Sequence, residues 1–497
     1  MEPGTRWRPF LRCGAGRTVA SSHQDASLRH PGATSPDFAI VERPSSLKAA
    51  MASSAVAPVT QRFRWDALQL VLLVVLFLQV WRIQALVRGV PLFGLPILAT
   101  AAAVVLFALD RDRRRRLGRL DQPVVRFALA TLVLVALSIP GALTPGRSLS
   151  FLLKDYMRSV LLMLLIAASV RGLSDVRRFA WVQIVGVSLC ALAILTHAEV
   201  GSEGRLSAEV TYYDANDLAT LIVCTLPLVL YLWRRPTGWP GRLALAAATV
   251  FLMTTLGETG SRGGFLGFVV VAGYLLLRFK GISRTKRVGA VALLVVLLMG
   301  LASDRYFERI ETILHPSGDY NWSGKSATGR VEIWKRGVEY MLSHPVLGVG
   351  AANFPRAEGT LSPEALERQR YGRSFRWSTA HNSFIQIGAE LGVLGVVFLV
   401  GLLVDGFRVM RRTQRQPVGE AAVIAQVLTA CLVGFVVTAM FLSQAYSAYL
   451  YALLGMCLGL SRAVSAAAAS GPPPTRPGVW GPASAFRLAG GLSSPPR

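Results

Sequence analysis

Leu70-Val71-Leu72-Leu73-Val74-Val75-Leu76-Phe77-Leu78 is a run of nine apolar residues without a polar residue at any spacing. A half-buried strand, or the wall of a membrane barrel, would alternate with period two. A helix on the surface of a soluble domain would turn polar every third or fourth residue. This run does neither. A segment apolar all round is at home only in lipid or deep among other helices, and in lipid a helix satisfies its own backbone.

The pattern recurs along the chain in apolar blocks of about 16–25 residues, close to the ~20 that cross a ~30 Å hydrocarbon core as helix. Of the 497 residues 52% are hydrophobic, and the mean hydropathy is +0.45. A soluble chain of this length would carry more charge and divide into several domains. We therefore expect an all-α, polytopic helical membrane protein. Spans are predicted at 66–86, 90–109, 123–142, 151–170, 179–198, 216–233, 242–257, 262–279, 288–303, 381–405, 421–442 and 446–462, about twelve in all. Arg82 and Arg88 interrupt the first pair, and the eighth and ninth are short. The expected layout is a tail over 1–62, nine spans over 63–303, a large outer loop over 304–380, three spans over 381–463 and a second tail over 464–497. Both tails are rich in Ser, Pro, Ala and Gly and read as disordered. No apolar h-region follows the early arginines, so the first residues are not a signal peptide, and Met51 is a candidate alternative start.

The net charge of +25 suggests nucleic acid until its placement is considered. Arg111, Arg113, Arg114, Arg115, Arg116 and Arg119 follow the second span. Arg171, Arg177 and Arg178 follow the fourth, and Arg234, Arg235 and Arg242 the sixth. Arg278, Lys280, Arg284, Lys286 and Arg287 follow the eighth, and Arg408, Arg411, Arg412 and Arg415 the tenth. This is the positive-inside pattern, which puts both termini in the cytoplasm and assigns the basic excess to topology and anionic lipid. No nucleic-acid reader motif accompanies the charge, so no nucleic-acid partner is expected. The cysteines (Cys13, Cys190, Cys224, Cys431, Cys457) have no C-x-x-C spacing and read as small core residues.

The odd-numbered exits then lie on the opposite face. They hold Arg147, residues 199–216, residues 258–262 and the long segment 304–380. That segment carries Tyr306, Phe307, Ile310, Trp322, Trp334, Tyr340, Phe354, Tyr371, Phe375 and Trp377, too many large apolar groups for a mere connector. Within it Thr328 is placed to cap a helix whose apolar face is Val331, Trp334, Val338 and Met341, ended by Ser343-His344-Pro345 and a Gly348-Val349-Gly350 turn. It reads as an amphipathic helix lying over the membrane face of the bundle.

Several residues on this face suggest chemistry. His381 opens the tenth span. It is either a helix-start histidine bonded to the loop or a general base, since imidazole changes charge near neutral pH. Asn382 either caps the helix or orients a ligand. Gly392 and Gly395 read as close-packing positions against a neighbouring helix. Glu390, two and a half turns below His381, needs a partner that the sequence does not name. Arg262, within Glu258-Thr259-Gly260-Ser261-Arg262-Gly263-Gly264, is either a snorkelling interfacial arginine or an anion ligand beside Ser261 and a helix start. Arg330 and Arg205 are either solvated charges or further anion ligands. Asn216 and Asp217 open the sixth span, where capping is the simpler role. Lys154, Asp155 and Arg158 invite either a lipid head group or a local Asp155–Arg158 pair. No metal site is expected from six scattered histidines, and no P-loop, H-E-x-x-H or G-x-S-x-G occurs. Outer arginines suit a lipid-linked pyrophosphate, and a histidine beside them suits an attacking hydroxyl.

Gly260-Ser261-Arg262-Gly263-Gly264, Gly329-Arg330-Val331-Glu332-Ile333-Trp334, Pro345-x-x-Gly348-x-Gly350-x-x-x-Phe354 and His381-Asn382-(nine)-Gly392-x-x-Gly395 occur in that order. Together, with the run from Asn216 to Pro227, they resemble the O-antigen ligase / O-antigen polymerase superfamily of bacterial inner-membrane glycosyltransferases, over about residues 66–462. The resemblance implies a C-type glycosyltransferase without metal, nucleotide or other cofactor. Its donor would be an undecaprenyl-pyrophosphate-linked glycan, and its acceptor a glycolipid such as lipid A-core, or another hydroxyl, at the periplasmic face. Carried onto this chain, Arg262 and Arg330 would hold the pyrophosphate, Arg205 would assist, and His381 would be the base, supported by Asn382, Ser261, Asn216 and Asp217. The ligase pattern often continues with Gly, Thr or Trp three residues past the second glycine, where this chain has Phe398. Polymerase and protein O-oligosaccharyltransferase therefore remain open beside ligase. A transporter or flippase is the reading from another class, and it would show Gly/Pro-broken helices with buried charge at the midplane.

Overall fold

The computed structural model describes residues 64–82, 94–112, 115, 122–197, 199–200, 206–207, 214–315, 319, 321–324, 326–373, 375, 377–416 and 419–469. The expected N-terminal tail, the expected C-terminal tail beyond residue 469, Cys13, Arg88 and Arg205 lie outside these residues; residues 464–469 continue the last helix. These described residues are helical almost throughout. Its helices are α1 Ala67–Gln79, α2 Leu95–Leu109, α3 Pro123–Ser138, α4 Pro145–Phe151, α5 Met157–Ser169, α6 Leu173–His197, α7 Ala215–Trp233, α8 Trp239–Glu258, α9 Arg262–Arg278, α10 Arg284–Leu301, α11 Asp304–Glu311, α12 Arg330–Ser343, α13 Phe354–Thr360, α14 Pro363–Arg370, α15 Ser383–Gln414, α16 Gly419–Ala439 and α17 Ala448–Ala469. Among the described residues the exception to an all-α reading is one short antiparallel ladder, β1 Glu199–Val200 with β2 Leu206–Ser207.

Among the described residues six helices are long and apolar enough to cross a membrane: α6, α7, α8, α15, α16 and α17. The chain is thus a multi-span membrane protein, but the twelve expected spans are not all met. At 1.5 Å per residue the 13 residues of α1 cover only about 20 Å, short of a hydrocarbon core. Expected span four is not one α-helix: a π-turn at Leu152–Tyr156 separates α4 from α5. Expected span nine ends in a 109° bend between α10 and α11. Hydropathy registers apolar length, and it is blind to such breaks.

One end of the bundle is tied by ion pairs. Asp66 caps α1 and meets Arg115 and Arg171, the latter at 2.9 Å. Asp175, fully buried, takes Arg171 at 3.2 Å and Arg178 at 2.8 Å. Glu420, in the first turn of α16, takes Arg235 at 3.1 Å and the Tyr231 hydroxyl at 2.9 Å. These contacts gather the basic exits of α2, α5 and α7 at one level, which is where a common membrane face would put them. Cys190, Cys224, Cys431 and Cys457 are buried, as small core residues would be.

The expected amphipathic helix is α12, with two corrections. Its N-cap is Gly329, not Thr328, and its buried face is Ile333, Arg336, Gly337 and Tyr340. Val338 and Leu342 are exposed. The shift arises because α12 packs on α15 through Gly337, where a Cβ would lie 2.4 Å from Ile385. Beneath it Arg336 makes a bidentate pair with Glu358 at 3.0 and 2.6 Å, and the Tyr340 hydroxyl donates to Glu358 at 2.9 Å. Burial, then the Glu358 charge, pushes the Tyr340 phenol well above its ordinary value, so it remains a donor at physiological pH. Removing one partner of such a pair leaves a buried charge uncompensated, at about 3–5 kcal/mol. Glu358→Ala is accordingly expected to expose 326–370 to limited proteolysis in detergent. Wild-type resistance would show that the pair does not hold this region.

Candidate functional site

Four helices begin at the end opposite those ion pairs, and each start is built by its own sequence. Asp214 and Asp217 form a reciprocal capping box on α7. Ser261 Oγ accepts from the Gly264 N–H at 3.0 Å and caps α9. Asn382 Oδ1 accepts from the Phe384 and Ile385 N–H groups at 2.9 and 3.1 Å and caps α15. α12 begins after Gly329 without a capping side chain, with Arg330 as its first residue.

Hydrogen bonds tie the four starts together. Ser261 Oγ donates to Asn216 Oδ1 at 2.8 Å, joining α9 to α7. Trp334 Nε1 donates to the Ala380 carbonyl at 2.9 Å, placing the second turn of α12 against the residue before His381. Gln444, in the 440–447 connection, donates to Asp217 through its side chain and to Ser383 Oγ through its backbone at 2.9 Å. The neighbouring Ser443 Oγ accepts the His381 N–H at 2.9 Å. Two residues earlier, Phe441 packs on Gly263, where a Cβ would stand 3.0 Å from the Phe441 Cβ. Two residues of extended chain span at most about 7 Å, so one short segment touches both the Arg262 and His381 neighbourhoods. The positive ends of four helix dipoles therefore face a common region, an arrangement that favours an anion.

His381 itself is held at φ +46°, a region that costs a non-glycine residue of order 1–2 kcal/mol. Its Nε2 lies 3.1 Å from Thr379 Oγ1. Arg262 Nη1 donates to Thr312 Oγ1 at 2.8 Å and forms an ion pair with Asp319. Burial alone would raise the Asp319 pKa. The Arg262 hydrogen bond, the Asn321 N–H at 2.7 Å and the Arg262 charge more than offset it and hold the carboxyl below its ordinary value. The pair is thus intact above the usual aspartate range near ~4 and is lost as pH falls below it. Asp319 occupies the guanidinium that a phosphate would need. Asp319→Asn is expected to lower the KM for a lipid-pyrophosphate donor severalfold with kcat little changed; an unchanged or raised KM would mean that the carboxylate does not compete.

The supporting residues resolve toward capping. Asn382 and Asp217 cap, Asn216 is bonded to Ser261, and the Asp155–Arg158 pair exists at 3.4 Å. The glycines behave differently from expectation. Gly392 breaks α15 at φ +70°, and a loop packs there rather than a helix: a Cβ would stand 2.3 Å from the Pro345 carbonyl. Gly395 faces its own helix at Leu391 and Ile387. The Gly348–Gly350 turn enters the break, with Gly350 N–H on the Glu390 carbonyl at 3.0 Å. Glu390 finds the Phe354 N–H, at 3.2 Å, as the partner that the sequence did not name. Thr312, Asp319, Ser443 and Gln444 went unnoticed in the sequence because no spacing or motif connects them to Arg262 or His381.

Residues 247–400 match the family model described as O-antigen ligase. That segment contains Arg262, Arg330 and His381. The exopolysaccharide production protein ExoQ of Rhizobium meliloti (strain 1021) is 32% identical over 80 residues, which cover 16% of this chain and 18% of that relative. The chain spans less than one fifth of the length of that relative.

Proposed function

We propose that the protein transfers a glycan from undecaprenyl pyrophosphate to an acceptor hydroxyl at the periplasmic face of the bacterial inner membrane, as a ligase-type enzyme. The observation that carries this reading is the meeting of the Arg262, Arg330 and His381 helix starts at one end of the bundle, inside or beside the segment matching the family. In this reading both termini are cytoplasmic, residues 304–380 form the periplasmic loop, and the shorter helices complete about twelve membrane crossings. Arg262 and Arg330 hold the pyrophosphate, and their bidentate donors stabilise the negative charge that grows on the leaving phosphate. Arg205 assists from the connection before α7. His381 takes the proton of the attacking hydroxyl as the sugar–phosphate bond breaks. Because guanidinium groups stabilise the leaving charge, chelation with EDTA is expected to leave transfer intact; loss on chelation and recovery with a divalent ion would overturn the arginine mechanism.

The glycolipid profile of cells lacking the protein separates the alternatives. Unmodified acceptor with full-length polymer on the carrier lipid supports ligation. Single repeat units on the carrier would make the enzyme a polymerase. Unglycosylated protein with normal glycolipids would make it a protein O-oligosaccharyltransferase, and carrier-linked glycan trapped on the cytoplasmic side would make it a flippase.

A further inference from the structure

We propose that Glu390, Asn353 and Tyr446 form a binding site for a monovalent cation such as Na+, beside the break in α15 and apart from the transfer residues. The placement follows from a closed ring of contacts. Glu390 Oε1 accepts the Phe354 N–H at 3.2 Å, next to Asn353. Asn353 Nδ2 donates to Ser148 Oγ in α4 at 2.8 Å. Three residues on, and so on the same face of α4, Phe151 meets the Tyr446 ring edge-on at 4.9 Å between centroids. Ala445, the residue before Tyr446, donates its N–H to Gln386 Oε1 at 3.4 Å. Gln386 stands one turn before Glu390 on α15, which closes the ring.

Each of these three side chains has a buried oxygen without a hydrogen-bond partner: Glu390 Oε2, Asn353 Oδ1 and the Tyr446 hydroxyl. Glu390 and Asn353 are 1% and 0% exposed. The Asn353 amide has one orientation, because Nδ2 also donates at 3.0 Å to the Ala351 carbonyl, which can only accept. The Tyr446 hydroxyl is near enough to act on the Glu390 carboxyl, yet the two are not in hydrogen-bond geometry. Arg147 reaches Glu390 only through its charge, from an exposed position. A carboxylate buried within an apolar span without an ion-pair partner is costly, and carboxylate, amide and hydroxyl oxygens are the donors that hard cations take. One carboxylate balances one positive charge, which selects a monovalent ion. Among the described residues no three acidic, histidine or cysteine side chains gather as a divalent or transition metal would favour. The ion would brace the Gly348–Gly350 turn against the Gly392 break, and both against the connection whose Ser443 holds His381.

The test follows thermal unfolding of the full chain in detergent, titrated with sodium chloride against choline chloride at constant ionic strength and pH, with calcium chloride as a third arm. A ligand that binds the folded state raises Tm, so the result does not depend on transfer activity. Sodium is expected to raise the wild-type Tm saturably, and choline is not. Tyr446→Phe keeps the ring and removes one neutral ligand, so the half-saturating sodium concentration should rise about five- to tenfold. Glu390→Gln should abolish the response; if that variant fails to fold, Tyr446→Phe decides. Arg262→Ala should respond as wild type does. Equal Tm in sodium and choline, or an undiminished sodium response in Tyr446→Phe and Glu390→Gln, would overturn the site. A response to calcium at lower concentration than to sodium would overturn the monovalent assignment.

Discussion

His381→Ala lowers glycan transfer by about 10²–10⁴-fold, the range that loss of a positioned general base produces, while membrane insertion and donor binding persist. The expectation of an intact fold has a structural basis. His381 precedes α15, and the cap of that helix belongs to Asn382. The His381 backbone N–H, not its ring, engages Ser443. Alanine keeps that N–H and loses the imidazole contact with Thr379 Oγ1. The φ of +46° persists as a constraint for any L residue, so the surrounding contacts must be what imposes it. A strained residue kept by its neighbours is better explained by what its side chain does than by stability. The measurement is transfer to acceptor in membranes from cells expressing each variant at matched levels, with donor affinity measured separately. Wild-type transfer by His381→Ala would remove the base from the mechanism.

The sequence disclosed what depends on local composition. Apolar length gave the long helices, the basic exits gave a common face, and Ser261, Asp214 and Asn382 announced helix starts with short polar side chains. The motif glycines were visible, but their purpose was not: Gly392 reads as a helix-packing residue until the Pro345 carbonyl is seen filling its missing Cβ. Contacts across long separations left no trace. Gln444 reaches Asp217 across 227 positions, and Asp319 reaches Arg262 across 57. Hydropathy also does not mark where a helix stops: α1 ends after 13 residues although the apolar composition continues to Trp81.

Arg262→Ala is expected to lower kcat by about 10²–10³-fold, as when one preorganised donor to a developing oxyanion is removed. The guanidinium is already placed. Its backbone sits in the first turn of α9 behind the Ser261 cap, and its Nη1 is oriented by Thr312 and Asp319. In the proposed reading a phosphate replaces Asp319 as the oxygen acceptor at the same nitrogen, which needs little reorganisation of the guanidinium. Arg262→Lys provides the sharper comparison. Lysine keeps the charge but presents a point donor instead of a planar fork. If charge alone mattered, Lys would restore most of the rate; if bidentate geometry matters, it recovers only a small fraction. The double variant Arg262→Ala with Asp319→Asn separates competition from catalysis. Asp319 acts through Arg262, so its replacement should give no KM benefit once the arginine is gone, and an undiminished benefit would place Asp319 in contact with substrate by another route. Transfer by Arg262→Ala at the wild-type rate would leave the pyrophosphate without its first ligand and would reduce the Asp319 contact to a loop anchor.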